Sequence, residues 1–225
     1  MAERLIIFTR YPEPGLTKTR LIPTLGAKGA ATLQQQMTEY TLSKVRELQN
    51  RPLSVEVRFT GGSLNLMQDW LGTDIVYQPQ GEGDLGERMA RSLFIAFRAG
   101  MERVVIIGTD CPGLNANLIA KAFHQLHSHD LVLGPALDGG YYLIGLHYFI
   151  SELFTDINWG TAEVLQQTVA IAKTLDVSVA YLPQLADVDR PEDLPIWEMR
   201  PLRGEGDKEM GGQGENPVDK SRGLK

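Results

Sequence analysis

The sequence predicts an α/β domain built on a largely parallel β-sheet. Short apolar runs rich in Val and Ile alternate with longer stretches of helical spacing, and in chain order they read β-α-β-α-β-α-β-α-β. The 225 residues are 43% hydrophobic and 22% charged, which suits one packed domain of ordinary size. We therefore expect one ordered domain at residues 1–200.

The predicted strands lie between segments with helical spacing. Strands are assigned to residues 4–9, 54–60, 74–78, 103–108, 130–134, 141–145 and 177–182. Helical patterns cover residues 27–48, 65–71, 85–99, 116–127, 161–175 and 192–199. The strand at 141–145 follows its predecessor too closely for a crossover helix, so we expect it to pair antiparallel and make the sheet mixed.

The C-terminal residues 201–225 differ in composition from the rest of the chain. They are rich in Gly, Lys, Glu and Asp and contain almost no large apolar residue. Such a segment buries too little apolar surface to offset the entropy lost on ordering. We therefore expect a disordered tail at 201–225.

Composition also limits where the protein acts and what it binds. No apolar run is longer than five residues, so no membrane span is expected. The first residues lack the apolar stretch of a signal peptide, and a single cysteine, Cys111, forms no internal disulfide; both observations favour the cytoplasm. The net charge of −6 argues against binding of nucleic acid through general surface charge.

The loop after the first predicted strand gathers positive charge at the sheet edge where α/β proteins bind ligands. Its cations and free backbone N–H groups suit phosphate binding, and the candidate residues are Arg10, Pro12, Gly15, Lys18, Thr19 and Arg20. The G-x-x-x-x-G-K-[ST] spacing of a Walker NTPase is missing, which excludes that class. The alternative interpretation is a solvated surface turn with ordinary charges.

A glycine-rich segment follows the third predicted strand. Residues 81–86 match G-x-G-x-x-G, but the match contains the carboxylates of Glu82 and Asp84, which would repel a bound pyrophosphate. A dinucleotide site is therefore not expected. Asp84 and Arg88 are instead candidates for binding ribose, base or acceptor, and the alternative for Asp84 is capping of the following helix.

Acidic residues follow both the central strand and the last strand. Asp110 comes directly after a run that should be a buried central strand, and it is a candidate metal ligand because Mg²⁺ usually takes one or two carboxylates plus phosphate oxygens. Asp187 and Asp189 alternate in extended chain and so could point the same way. Together these acids could neutralise a diphosphate through one cation. The alternatives are a helix cap for Asp110 and a turn for the pair.

Asp138 begins a turn that leads into an aromatic strand. Gly139 and Gly140 let the backbone approach a ligand closely, and Tyr142 is a further candidate for binding donor or acceptor. A carboxylate that faces a cleft here could act as general base towards an acceptor hydroxyl. The alternative is a tight hairpin turn with Asp-Gly chemistry.

Four motifs together resemble a bacterial family of proposed glycosyltransferases associated with arsenosugar biosynthesis. They are F-T-R-x-P-x-P-G-x-x-K-T-R-L at 8–21, G-D-L-G-E-R-M at 83–89, G-T-D-C-P at 108–112 and D-G-G-Y-Y-L-I-G at 138–145. Their order and combination are specific, and the resemblance spans residues 4–197. It implies a GT-A-like fold of the nucleotide-diphospho-sugar transferase superfamily, which is a three-layer α/β/α sandwich with a Rossmann-like, mostly parallel mixed sheet.

The resemblance also implies roles for individual residues. The first loop would hold the nucleotide phosphates, Asp110 would match the metal-binding acid of the superfamily, and Asp189 would be a second ligand of Mg²⁺ or Mn²⁺. The superfamily also contains nucleotidyltransferases, including the molybdopterin and phospholactate guanylyltransferases. Their first loop usually reads L-x-G-G-x-x-x-R-x-G-x-x-K, from which residues 8–12 of this chain depart.

Three functional hypotheses follow. The first is transfer of a sugar from a nucleotide-diphosphate donor to a small-molecule acceptor, with Asp110 stabilising the leaving diphosphate through a cation and Asp138 orienting or deprotonating the acceptor. The alternative is guanylyltransferase-like nucleotidyl transfer from an NTP to a phosphorylated small molecule. The third is a non-catalytic nucleotide-binding protein that keeps the fold.

Overall fold

The computed structural model describes residues 2–201. Apart from Pro201, the predicted tail at 201–225 lies outside the described residues. Within residues 2–201 the chain forms seven β-strands and six α-helices. None of these helices is long and apolar enough to cross a membrane.

All seven strands belong to one sheet. Their bounds are β1 (Glu3–Arg10), β2 (Leu53–Thr60), β3 (Val76–Pro79), β4 (Arg103–Ile107), β5 (Leu131–Pro135), β6 (Tyr141–Leu146) and β7 (Val179–Tyr181). Their order across the sheet is β3-β2-β1-β4-β6-β5-β7. β6 pairs antiparallel with β4 and β5 while the other neighbours are parallel, which confirms the predicted mixed sheet.

The helices cover both faces of the sheet. They are α1 (Ile22–Arg46), α2 (Leu64–Leu71), α3 (Leu85–Arg98), α4 (Ala116–Gln125), α5 (Val164–Thr174) and α6 (Leu194–Glu198). α1, α2 and α4 pack on one face through Leu42, Met67 and Phe123, and α3 and α5 pack on the other through Leu93 and Ala172. These three layers confirm the predicted α/β/α sandwich.

Two helix starts differ from the prediction by three or more residues. The helix predicted at 27–48 begins earlier, at Ile22, because a proline-initiated first turn precedes a kink at Gly26, where φ is 69°. The helix predicted at 161–175 begins three residues later, at Val164. There the hydroxyl of Thr161 donates to the carbonyl of Asn158 and accepts from the N–H of Glu163, which stabilises a turn instead of helix.

The parallel strands bring their carboxyl ends to one edge of the sheet. β1 lies between β2 and β4 in such a register that Ile7 is level with Val57 and Ile107. β5 runs in the direction of β4, so the turn at 136–140 that joins β5 to β6 lies at this same edge. The loops after β1, β4 and β7 and the β5–β6 turn therefore surround one space, where open α/β sheets bind ligands.

Candidate active site

A cleft of about 750 Å³ lies at this carboxyl edge of the sheet. Eleven of the residues predicted from the sequence to form a site line it: Arg10, Lys18, Thr19, Arg20, Arg88, Asp110, Asp138, Gly140, Tyr142, Asp187 and Asp189. Four others do not line the cleft: Pro12, Gly15, Asp84 and Gly139. The structure thus brings together residues from both halves of the chain.

Lys18 connects three loops at the floor of the cleft. Its Nζ lies 2.8 Å from Oδ1 of Asp110 and 3.8 Å from Oδ1 of Asp189, and it donates to the carbonyl of Val188 at 2.7 Å. The Lys18 side chain is only 3% exposed, whereas that of Asp110 is 50% exposed. The ammonium group is therefore nearly dehydrated and depends on these oxygens for its hydrogen bonds.

The loop after β7 is fixed against this lysine by further contacts. The N–H of Val188 donates to the carbonyl of Asp110 at 2.9 Å, so the loops after β4 and β7 are joined through their backbones. Arg20 forms an ion pair with Asp189, whose own N–H donates to the carboxylate of Asp193. Asp110 is not a helix cap, since α4 is capped by Asn115.

Arg88 is positioned by a buried glutamine that sequence reasoning missed. Gln80 donates from Nε2 to the carbonyls of Thr9 and Arg58, each at 3.1 Å, and its Oε1 accepts from Nη1 of Arg88 at 3.1 Å. Gln80 directly follows β3, so the available signal was a polar residue at the carboxyl end of a strand. This bridge holds the Arg88 guanidinium at the edge of the cleft.

A second buried polar network lies beneath the cleft. Nε2 of Gln34 on α1 lies within hydrogen-bond distance of three threonine hydroxyls. Thr9 lies in β1, Thr38 lies on α1, and Thr109 follows β4. The hydroxyls of Thr9 and Thr38 are 2.8 Å apart and share a hydrogen bond. Because buried polar groups are costly when unpaired, this network fixes α1 against the two central strands.

Asp84 is the N-cap of α3, which was the alternative interpretation of this residue. Its carboxylate accepts from the N–H of Glu87 while the Glu87 carboxylate accepts from the N–H of Asp84, each at 2.8 Å. Gly83, which precedes it, has a φ of 102°, a conformation that favours glycine. The acidic glycine-rich segment therefore begins a helix and aims Arg88 of the next turn at the cleft.

The β5–β6 turn places Asp138 in the cleft. Oδ1 of Asp138 accepts from the N–H of Gly140 at 2.8 Å, which orients the carboxylate. Gly139 has a φ of 90°, and a Cβ there would overlap the backbone of Ala162. Its carbonyl accepts from the N–H of Leu165, so Gly139 serves to pack the turn against the start of α5.

Asp187 lies next to this turn and has no ion-pair partner among the described residues. Its partial burial raises the pKa of the carboxyl above the usual value, and the charges of Asp138, Asp193 and Asp110 raise it further. The sequence prediction paired Asp187 with Asp189, but the structure gives the two carboxylates different surroundings. Asp189 is neutralised by Arg20, whereas Asp187 faces other acids.

Aromatic rings also line the cleft. Trp159 and Tyr141 line it together, with ring centroids 6.4 Å apart in an edge-to-face arrangement. A Cβ at Gly86 would overlap the Trp159 indole, so this ring packs directly on the first turn of α3. Tyr142 donates from its hydroxyl to the carbonyl of Pro183. Trp159 was missed from the sequence, because it lies in an irregular segment without a motif.

The cap at Asp84 gives a prediction about stability. We expect Asp84→Ala to lower the free energy of unfolding by about 1 kcal/mol, because α3 loses its first hydrogen bond, and to leave nucleotide affinity unchanged. Asp84→Ser is the matched control, since serine also caps helices. Urea unfolding and nucleotide titration measure both quantities. A loss of nucleotide affinity without loss of stability would show that Asp84 binds ligand.

Cys111 gives a prediction about reactivity. Burial raises the pKa of the Cys111 thiol well above its usual range, and the carboxylates of Asp110, Asp187 and Asp138 raise it further. The thiol therefore stays protonated at mildly alkaline pH, where an ordinary cysteine is partly thiolate. We expect iodoacetamide to label the native protein at least ~10-fold more slowly than the urea-unfolded chain. Equal labelling rates would show an exposed, ionised thiol.

Comparisons with known proteins were made for sequence and for structure. The family model described as "Uncharacterized protein conserved in bacteria (DUF2064)" matches residues 41–161. A proposed nucleotide-diphospho-sugar transferase from Desulfovibrio desulfuricans G20 superposes with a TM-score of 0.83 at 34% sequence identity, over 91% of this chain and 90% of that chain. No curated protein sequence matches this chain.

Two more distant structures share the fold. 4-Diphosphocytidyl-2C-methyl-D-erythritol synthase from Anaerococcus prevotii DSM 20548 has a TM-score of 0.59 at 13% identity, over 87% of this chain and 93% of that chain. Glucosyl-3-phosphoglycerate synthase from Mycobacterium tuberculosis, solved with Mn²⁺, UDP and glucosyl-3-phosphoglycerate, has a TM-score of 0.52 at 14% identity, over 86% and 74%. The family match and the 34% identical structure establish that this chain belongs to the DUF2064 family of bacterial proteins.

Proposed function

We propose that this protein transfers a sugar from a nucleotide-diphosphate donor to a small-molecule acceptor. The observation that carries the proposal is the set of charges that line one cleft. Four cations, from the end of β1, the segment after it and α3, face four carboxylates from the loops after β4, β5 and β7. A donor diphosphate needs the cations, and an acceptor hydroxyl that loses its proton needs a carboxylate. The description of the 34% identical structure as a proposed nucleotide-diphospho-sugar transferase supports this function.

The donor diphosphate is assigned to the cations. Arg10 and Arg88 line the cleft without an ion-pair partner among the described residues, and guanidinium groups suit two-point binding of phosphate. Lys18 and Arg20 are paired with carboxylates, so they would attract the diphosphate as part of a cluster of positive and negative groups. Thr19 lies between these two cations and lines the same part of the cleft.

A divalent cation, Mg²⁺ or Mn²⁺, is assigned to Asp110 and Asp189. Within residues 2–201, no three His, Cys, Asp or Glu side chains form a metal site made of protein ligands alone. Two carboxylates are nevertheless what Mg²⁺ commonly takes from protein when phosphate and water supply the other oxygens. Lys18 contacts Asp110 through Oδ1 and the Asp110 side chain is 50% exposed, so this carboxylate fits a cation that binds together with the donor. Both oxygens of Asp189 face Lys18 or Arg20, so Asp189 would exchange one of these partners to bind the same cation. When bound, it would stabilise the negative charge of the leaving diphosphate.

Asp138 is assigned the role of general base. The acceptor oxygen forms a bond to the anomeric carbon of the sugar, and the bond from that carbon to the β-phosphate oxygen breaks. The electron pair of the broken bond leaves with the nucleoside diphosphate, and the acceptor proton passes to the Asp138 carboxylate. The N–H of Gly140 donates to this carboxylate, and Tyr142 also lines the cleft. Both residues are assigned to binding of the reacting groups.

Nucleotidyl transfer is the second candidate, favoured by the fold shared with the diphosphocytidyl-methylerythritol synthase. In that reaction an acceptor phosphate attacks the α-phosphorus of an NTP and pyrophosphate leaves. Residues 8–12 lack the glycine-rich pattern of the guanylyltransferases, which favours the sugar transferase.

The proposal also includes the bounds of the catalytic domain and the compartment in which the protein acts. Residues 1–200 are taken as the transferase domain, and the single buried thiol suits the reducing cytoplasm. The resemblance to the arsenosugar-associated family adds arsenic-containing alcohols to the acceptors that merit testing.

Product release tests the proposal. The full-length protein is incubated with Mn²⁺ or Mg²⁺ and panels of nucleotide sugars, NTPs and acceptors, and we expect release of a nucleoside diphosphate from one nucleotide sugar. Asp110→Asn should lower turnover by about 100-fold or more. Asparagine keeps an oxygen that can accept a hydrogen bond from the buried Lys18 ammonium, so the fold should persist. Asp74→Asn, an exposed carboxylate outside the cleft, is the control and should keep full turnover.

Other products would point elsewhere. Pyrophosphate release from an NTP would replace the proposal with nucleotidyl transfer. Saturable nucleotide binding without turnover of any donor would support the non-catalytic role.

A further inference from the structure

The charges that line the cleft are separated according to strand order. The cations are Arg10 at the end of β1, Lys18 and Arg20 after it, and Arg88 of α3. Gln80 holds Arg88 beside the ends of β1 and β2. The carboxylates come from the loops after β4, β5 and β7 and are Asp110, Asp138, Asp187 and Asp189. In the sheet order β3-β2-β1-β4-β6-β5-β7, every cation belongs to one side and every carboxylate to the other.

The two sides meet along a seam of ion pairs. Lys18 with Asp110 and Arg20 with Asp189 neutralise each other there. Within residues 2–201, the cleft's remaining cations and its remaining acids form no ion pairs. Beyond the seam, a basic subsite therefore lies on one side and an acidic subsite, formed by Asp138 and Asp187, on the other.

The acidic subsite is poorly matched to a negatively charged molecule. Asp187 is partly buried and lines the cleft together with Asp138, and neither carboxylate has an ion-pair partner among the described residues. A phosphate placed there would add two more negative charges to this group. A cation placed there would relieve the repulsion.

The aromatic rings of the acidic subsite favour the same kind of molecule. Trp159 and Tyr141 line the same cleft, and Tyr141 begins β6 directly after the turn that contains Asp138. Aromatic rings attract ammonium groups through their negative faces. Carboxylates combined with aromatic rings are thus complementary to an amine that also carries hydroxyl groups.

We propose that the acceptor is an alcohol that carries a positively charged nitrogen and no phosphate, bound between Asp138, Asp187 and the Trp159 ring. This inference rests on the proposed function, because it assigns the acceptor to the side of the cleft that the donor diphosphate leaves free. The acidic subsite also disfavours the second candidate function, since nucleotidyl transfer needs a phosphorylated acceptor at that place.

Three sugars with the same ring but different charge test the proposal: glucosamine, glucose and glucose 6-phosphate. Their dissociation constants are measured by calorimetry on the full-length protein, with saturating nucleoside diphosphate and Mn²⁺, in slightly acidic buffer that protonates the amine. We expect glucosamine to bind about tenfold more tightly than glucose, and glucose 6-phosphate to bind more weakly than glucose. Asp187→Asn should reduce the preference for glucosamine to within about twofold, whereas Asp74→Asn should retain it.

Two outcomes overturn the proposal. One is binding of glucose 6-phosphate as tightly as glucosamine, and the other is failure of glucosamine to bind while nucleoside diphosphates do. The affinity of each protein for the nucleoside diphosphate alone is measured first. Absence of that binding counts against the proposed function itself, so the two failures are distinguishable.

Discussion

The ammonium group of Lys18 joins three segments that are far apart in sequence. It lies between the carboxylates of Asp110 and Asp189 and donates to the carbonyl of Val188, so it ties the loop after β1 to the loops after β4 and β7. With 3% of its side chain exposed, Lys18 has little water to replace these contacts. The positions of the candidate phosphate-binding cations and of the candidate metal ligands therefore depend on one buried charge and the oxygens around it.

Two buried glutamine side chains hold other parts of the cleft in place through hydrogen bonds. Gln80 links the ends of β1 and β2 to Arg88. Gln34 links α1 to Thr9 in β1 and to Thr109 after β4. Both side chains are buried, so their hydrogen bonds are not exchanged for bonds to water. The result is a rigid floor that holds positive charge on one side and negative charge on the other. In the proposed function, the donor diphosphate binds on the positive side and the acceptor on the negative side.

Much of the fold could be predicted from the sequence, because strand and helix patterns are local. The alternation of apolar runs gave the seven strands, and the short connection before 141–145 predicted the antiparallel β6. Residues placed directly after strands, such as Asp110 and Asp138, were found by the same argument. Gln80 and Trp159 were not, because their roles arise from contacts between distant segments. Asp84 shows the opposite case, in which a local capping pattern explains a residue that also resembled a binding motif.

The central claim is that Lys18 holds the loops after β4 and β7 in place. Amide hydrogen exchange of Val188, whose N–H donates to the Asp110 carbonyl, tests this directly in the native protein and in Lys18→Met. The account predicts that Val188 exchanges at least ~10-fold faster in Lys18→Met while the amides of β4 keep their protection. Unchanged exchange at Val188 would show that the two loops hold together without the lysine and would contradict the account.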